Sequence, residues 1–158
     1  MTDGTRAYAR TAIDEIDKRI ITELQRDGRV SYADLGPLVG LSPAAARQRV
    51  QRLTESGTVQ VVGVTDPQAM GYPTVAMLGV RVDGDVRAIA DEIAAIDGVI
   101  YVVLTSGSFD IMVEVICESS TALLDLINDR VRQTAGVRAV ESFMYFGIHT
   151  HRFGWRIR

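Results

Sequence analysis

The sequence predicts an α+β protein in two parts, helical up to about residue 58 and of order βαββαβ from residue 75 onward. Three observations predict it. Apolar residues recur at three- and four-residue spacing through the first part, the period of helices with one buried face. Beyond residue 75 that period alternates with runs of β-branched residues, twice in the same order. Between the parts, Val59, Val61, Val62 and Val64 read as a short strand that ends at Asp66-Pro67, a turn former. The 158 residues allow two small domains, and 47% hydrophobic with 23% charged residues is a globular composition.

In the first part, Ile13, Ile16, Ile20, Ile21 and Leu24 mark an amphipathic helix over residues 13–26, closed by Gly28. A second, shorter helix starts from Ser31 as N-cap and carries Ala33, Leu35, Leu38 and Val39 up to Gly40. Pro37 argues against it, since a proline past the first turn loses a backbone hydrogen bond. A third helix opens at Ser42, has Pro43 where a missing N–H costs nothing, and closes at Gly57. Ala46, Val50 and Leu53 form its apolar face.

The second part reads as strand (75–82), helix (86–96), strand (99–105), loop, strand (111–117), helix (121–133) and strand (137–146). Leu124, Ile127 and Val131 are the expected buried face of the second helix. Each helix is followed by Gly-Val, at Gly98-Val99 and Gly136-Val137, so the two units form an internal repeat. A split βαβ pair of this kind gives a four-stranded antiparallel, ferredoxin-like sheet with both helices on one face. The other face, with Met112, Ile116, Val140 and Met144, is then expected to be covered by a second subunit. The domain scheme is therefore 1–58 (arm and helices), 59–74 (linker with a short strand), 75–148 (βαββαβ) and 149–158 (tail).

The net charge of −3 hides an asymmetry. Residues 1–60 hold nine Lys and Arg against eight acids, residues 61–158 eight against twelve. Within residues 42–54 stand Arg47, Arg49 and Arg52 with no acid at all. Two short helices separated by Gly40-Leu41, the second carrying this stripe, are the pattern of a helix-turn-helix. Thirteen residues at 1.5 Å rise span about 20 Å, the scale of a major groove. Ser42, Ala44, Ala45, Arg47, Gln48, Arg49 and Arg52 are the candidate DNA contacts: arginines for phosphate and guanine, Gln48 for adenine, alanine methyls for thymine. Arg47, Gln48 and Arg52 are expected to face double-stranded DNA, with Arg49 nearer the edge, on a phosphate or bracing a carboxylate of the first helix. The bland alternative is a solvated helical face.

The loop Thr105, Ser106, Gly107, Ser108, Phe109 and Asp110 joins two strands and gathers small polar residues with one carboxylate. Thr105, Ser106, Gly107 and Ser108 suit the carboxylate of an amino acid and Asp110 its ammonium. A plain hairpin, with Gly107 at positive φ and Asp110 bonded to its own turn, fits the same residues. Catalysis finds no support. His149 and His151 have no carboxylate or cysteine paired with them near in sequence, no phosphate loop is present, and no cofactor or metal is expected. The single Cys117 rules out an internal disulfide and reads as a small buried thiol. No apolar run is long enough to span a membrane, and the start lacks a signal-peptide core, so a cytoplasmic location is expected.

Taken together, Ile13-Asp14, Ile16-Asp17, Ile20-Ile21, Leu24-Gln25, Asp27-Gly28-Arg29, Leu35, Val39-Gly40-Leu41-Ser42, Arg49-Val50, Arg52-Leu53 and Gly57 resemble the opening domain of Lrp/AsnC-type transcriptional regulators. Gly107, Phe109-Asp110 and Gly136-Val137 resemble that family's ligand-sensing domain in order and spacing. The resemblance implies a feast/famine regulator with a winged-helix-like DNA-binding domain. It implies a homodimer through the βαββαβ sheets, often assembled further as tetramers or octamers, and an amino acid or related effector between subunits. Two other classes stay open at this point: a porphyrin-pathway decarboxylase of similar architecture, and an oligomeric sensor with vestigial DNA binding. Three features depart from the family pattern: Gly36-Pro37 inside the second helix, the plain Ala44-Ala45-Ala46, and a tail in which Phe153 and Trp155 alternate with Arg152, Arg156 and Arg158. That tail is expected at a subunit contact, against a second DNA contact or a frayed end.

Overall fold

A computed structural model describes residues 12–151 and Gly154. The expectations for Arg152, Phe153, Trp155, Arg156 and Arg158 lie outside the described residues. Two compact units divide the chain at Val64 and Thr65.

The first unit holds three helices, each started by a side-chain cap. Helix α1 (Glu15–Arg26) begins at Asp14, whose carboxylate accepts from the Asp17 N–H while Asp17 accepts from the Asp14 N–H, a reciprocal capping box. Ser31 caps α2 (Tyr32–Val39) and Ser42 caps α3 (Pro43–Glu55), with Pro43 in the first turn. Pro37 does not stop α2, which ends only two residues later, so the lost bond falls in the last turn. Gly36 explains why the local sequence is Gly-Pro. A Cβ there would lie 2.8 Å from the Leu41 carbonyl oxygen and 3.1 Å from the Pro43 nitrogen, while the Leu41 N–H donates to the Gly36 carbonyl at 2.8 Å. The turn folds directly against α2. Ile20, Leu35, Val39, Ala46, Val50, Leu53 and Val59 form the core, as the helical periods require.

No strand forms over residues 59–64, which corrects the expected linker strand: the regular elements of the described part of this unit are helices. Val59 drops into the helical core, where its N–H donates to the Leu53 carbonyl at 3.1 Å. Val61, Val62 and Val64 stay exposed beside an open groove with Ile21 and Leu24. Their β-propensity expresses packing against a neighbouring strand, and the described residues offer none. The expected turn at Asp66-Pro67 is present, closed by the Met70 N–H to the Asp66 carbonyl and the Tyr72 N–H to the Pro67 carbonyl.

The second unit follows the predicted order: β1 (Thr74–Val82), α4 (Val86–Ala94), β2 (Val99–Leu104), β3 (Ile111–Cys117), α5 (Ser120–Asp125) and β4 (Val137–Met144). The sheet order is β2-β3-β1-β4, every pair antiparallel. Beyond α5 the chain continues through a π turn (Leu126–Arg130) and a 3-10 turn (Val131–Gln133) instead of one regular helix. That change of winding shifts the buried face to Leu123, Ile127 and Val131, four apart, and leaves the expected Leu124 exposed. Ala76, Leu78 and Val80 of β1 with Ile111, Val113, Val115 and Cys117 of β3 face the helices and make the core. Burial raises the Cys117 thiol above its ordinary pKa, as expected of an inert core thiol.

The opposite sheet face carries Met77 and Gly79 of β1, Tyr101 and Val103 of β2, Met112, Glu114 and Ile116 of β3, and Phe143 of β4. Val140 and Met144 were expected there and are on the helix side. They pair across from Val80 and Ala76, and directly opposed residues share a face. Tyr145 reaches Glu114 on the open face; burial first, then that carboxylate, push its phenol up to about 12.

Candidate nucleic-acid and effector sites

On α3, about 100° per residue places Ala44, Arg47, Gln48, Gln51 and Glu55 along one stripe and Ala46, Val50 and Leu53 on the opposite, buried one. The stripe is exposed, and with Tyr32 and Pro43 it borders a shallow groove. Ser42 spends its hydroxyl on the Ala45 N–H, and Ala45 itself is half-buried. Gln51 holds Glu55 at 2.8 Å. Among the described residues Arg47 has no carboxylate partner, so its donors face solvent. Gln51 and Tyr32 are absent from the candidate contacts read from sequence; their signal was the seven-residue spacing from Ala44 to Gln51 and the capped first turn of α2.

Arg49 and Arg52 sit along the adjacent edge and turn toward α1. Arg49 donates to Asp14 at 2.5 Å and to Asp17 at 3.0 Å, which is the bracing role expected of it. Arg52 donates to the other Asp17 oxygen at 2.5 Å, a pairing the sequence did not suggest for a residue expected to face DNA, and its side chain stays half exposed. The physical reason is registration: Asp14 and Asp17 are three apart on α1, Arg49 and Arg52 three apart on α3, and the packed helices bring the two pairs together. Asp17 is 0% exposed, yet among the described residues no buried side-chain polar atom is left without a partner. The hydrogen bond from Arg49, then that from the Asp17 N–H, hold the Asp14 carboxyl below its ordinary pKa, and the hydrogen bonds to the Asp14 and then the Asp17 carboxylate raise Arg49.

In the second unit, the loop between β2 and β3 brings its predicted residues together, with Asp110 in a different role. Its Oδ2 accepts from the Val82 N–H of β1 at 2.9 Å, and its own N–H donates to the Val80 carbonyl. One carboxylate oxygen therefore holds the loop to the sheet, bonded neither to its own turn nor outward. Thr105 Oγ1 donates to the Phe109 carbonyl at 2.6 Å, and Arg81 Nε to the Ser108 carbonyl at 2.8 Å. Ser106, Gly107 and Ser108 are exposed, and Gly107 has φ +147°. Phe109 lies flat over Gly79, where any Cβ would stand 2.7 Å from the ring. Arg81 stacks on the same ring at 5.3 Å and pairs with Glu141 at 2.9 Å, and Phe143 meets it edge-on at 6.0 Å. The loop is thus a rigid rim on the open sheet face. Among the described residues no cluster of three or more His, Cys, Asp or Glu could hold a metal, and no helix is long and apolar enough to cross a membrane.

Residues 13–54 match the AsnC-type helix-turn-helix domain, and residues 75–153 match the Lrp/AsnC ligand binding domain. The HTH-type transcriptional regulator FL11 of Pyrococcus furiosus is 29% identical over 142 residues, covering 89% of this chain and 93% of that protein. The leucine-responsive regulatory protein of Rhizobium meliloti is 29% identical over 140 residues, covering 85% and 90%. Among solved structures, a feast or famine regulatory protein from M. tuberculosis complexed with L-methionine superposes with a TM-score of 0.84 at 27% identity, covering 92% of this chain and all of that one.

Proposed function

This chain belongs to the Lrp/AsnC family of transcriptional regulators, and on that premise we propose that it reads double-stranded DNA with the exposed stripe of α3 and adjusts that binding to an amino-acid effector. The family and the similar proteins are regulators and not enzymes, so the porphyrin-decarboxylase alternative falls. The observation that carries the reading is the division of labour on α3: a buried stripe fixes the helix while Arg47, Gln48 and Gln51 are held outward with side chains suited to base edges and phosphate.

The effector site is the rim formed by Thr105, Ser106, Gly107 and Ser108. Ser106, Gly107 and Ser108 offer the exposed hydroxyls and N–H groups that suit a carboxylate, while Thr105 spends its own donors on the Phe109 and Asp110 carbonyls and shapes the rim. The L-methionine bound by the M. tuberculosis relative supports that ligand class. Asp110 spends one carboxylate oxygen on Val82 and keeps the other for the ammonium, with Glu141, paired with Arg81, a second acid on the same sheet face. A second copy of the chain covers the open sheet face. Met77, Met112, Ile116 and Phe143 are the apolar surface a homodimer buries, and further assembly of dimers follows the family pattern. A DNA-binding regulator of this kind works in the cytoplasm.

Selection of duplexes from a random pool tests the reading. Enrichment of a two-fold symmetric motif, with half-sites one or more helical turns of about 10 base pairs apart, is expected of a dimeric helix-turn-helix. Methionine or leucine is expected to change its affinity. A pool that never converges would leave the vestigial sensor as the better account.

A further inference from the structure

Two of the three arginines on α3 are occupied within the protein. Arg49 and Arg52 donate to opposite oxygens of Asp17, a carboxylate with no exposed surface, and Asp17 also takes the Asp14 N–H at 3.2 Å. Arg49 donates in addition to Asp14, whose side chain is half exposed on the same edge. The cluster holds two positive and two negative groups and so presents no net charge on that flank of α3. A phosphate approaching it meets guanidinium groups already paired in a weakly screened setting, together with the Asp14 carboxylate. Arg47, on the outward stripe, has no such partner among the described residues.

This asymmetry matters because sequence-independent DNA binding is phosphate contact, while discrimination comes from base edges. We propose that Asp17, assisted by Asp14, is a specificity-determining positioning residue: it withholds Arg49 and Arg52 from indiscriminate phosphate contact, so that DNA is selected through Ala44, Arg47, Gln48 and Gln51. The inference rests on the DNA-reading function of α3. An arginine left unclamped on this edge strengthens non-specific complexes, in which the protein settles wherever a phosphate meets it, more than the specific complex, whose register is already fixed by base contacts, and so lowers the ratio of specific to non-specific binding. The clamp keeps that ratio high.

The test is DNA binding by the full chain at several salt concentrations, to random duplex and to a selected duplex, for the wild type, Asp17→Asn, Asp14→Asn and Asp27→Asn. Asparagine caps a helix as well as aspartate, so Asp14→Asn keeps the start of α1. It takes the charge from one of the two acceptors of Arg49 and, if Asp17→Asn fails to fold, carries the test through Arg49 alone, with a change in the same direction and smaller than that of a fully released guanidinium. Asp27→Asn is the control, an equal change of charge on an exposed acid that releases no arginine; among the described residues its carboxylate accepts only from the Arg29 N–H. Each released guanidinium is expected to steepen the log–log salt slope on random duplex by about one. That corresponds to roughly tenfold tighter non-specific binding at 0.1 M salt, with the specificity ratio falling by a similar factor. A purely structural role for Asp17 moves the melting temperature and leaves slope and ratio alone. The proposal is overturned if the folded variants match Asp27→Asn in slope and ratio, or bind all DNA more weakly. A wild type with no salt-dependent binding to any duplex overturns instead the function on which the inference rests.

Discussion

Gly36→Ala sets two effects of known size against each other. Gly36 lies within α2, and alanine in a helix interior is favoured over glycine by roughly 0.5–1 kcal/mol. The new Cβ, however, would stand 2.8 Å from the Leu41 carbonyl oxygen and 3.1 Å from both the Pro43 nitrogen and the Ser42 carbonyl carbon. All three atoms are backbone, so no rotamer relieves the contact and the turn itself has to move. Overpacking of this kind costs typically about 1–3 kcal/mol, and moving the turn also weakens the Leu41 N–H bond to Gly36, worth about 1 kcal/mol. The steric cost exceeds the propensity gain, leaving a net loss of about 1–2 kcal/mol, or a factor of roughly 5–30 in the local opening equilibrium. Amide hydrogen exchange followed by mass spectrometry on peptides spanning α2 and α3 measures it as faster exchange by that factor. Exchange that is unchanged or slower in the variant refutes the reasoning, because propensity would then have prevailed and the turn would have room to spare.

Val50→Asp places an unpaired carboxylate in the core of the first unit and is expected to unfold it, at a cost above the usual 0.5–3 kcal/mol of point substitutions. Loss of far-UV helical signal with retention of the sheet checks it. Met112→Lys sets a charge in the middle of the open sheet face, and sedimentation is expected to show the proposed homodimer for the wild type and a monomer for the variant at micromolar concentration; equal masses for the two would refute this face as the dimer surface. Acid acts on the α1–α3 contact through Asp14. Its folded pKa lies below the unfolded value near 3.9, so its contribution is present above about pH 4 and disappears as pH falls through the folded value. Stability–pH curves of the wild type and Asp14→Asn should therefore converge in acid and separate above about pH 4.

The features legible in the sequence were those set by near neighbours along the chain. Ser31 and Ser42 announced two helix starts, Pro43 the first turn of α3, and the triplet Ala46, Val50 and Leu53 its buried face. The βαββαβ order followed from period alone because each helix of the second unit separates two strands. What remained hidden depends on partners distant in sequence. The bond from Arg52 to Asp17 was not foreseen because the two lie 35 positions apart, and only the packing of α3 against α1 brings them together. Val140 and Met144 were placed on the wrong sheet face because a one-residue phase error inverts a strand, and the ladder between β1 and β4 shifts register at Arg81 and Val82. The valines from 59 to 64 resembled a strand, whereas strand formation requires a neighbour that their own sequence does not contain. For the loop between β2 and β3, the residue types were legible, but the bond from Val82 to Asp110, which decides what the carboxylate faces, was not.

The central claim is that α3 meets DNA through its outward stripe, and the salt dependence of binding by Arg47→Ala tests it most directly. Arg47 has no ion pair within the described residues, so its removal leaves the fold and the melting temperature as they were. Binding to a selected duplex should weaken, and the slope of log affinity against log salt should become shallower by about one, the signature of one lost phosphate contact. An Arg47→Ala protein that binds the same duplex with unchanged affinity and unchanged slope at every salt concentration would contradict the account.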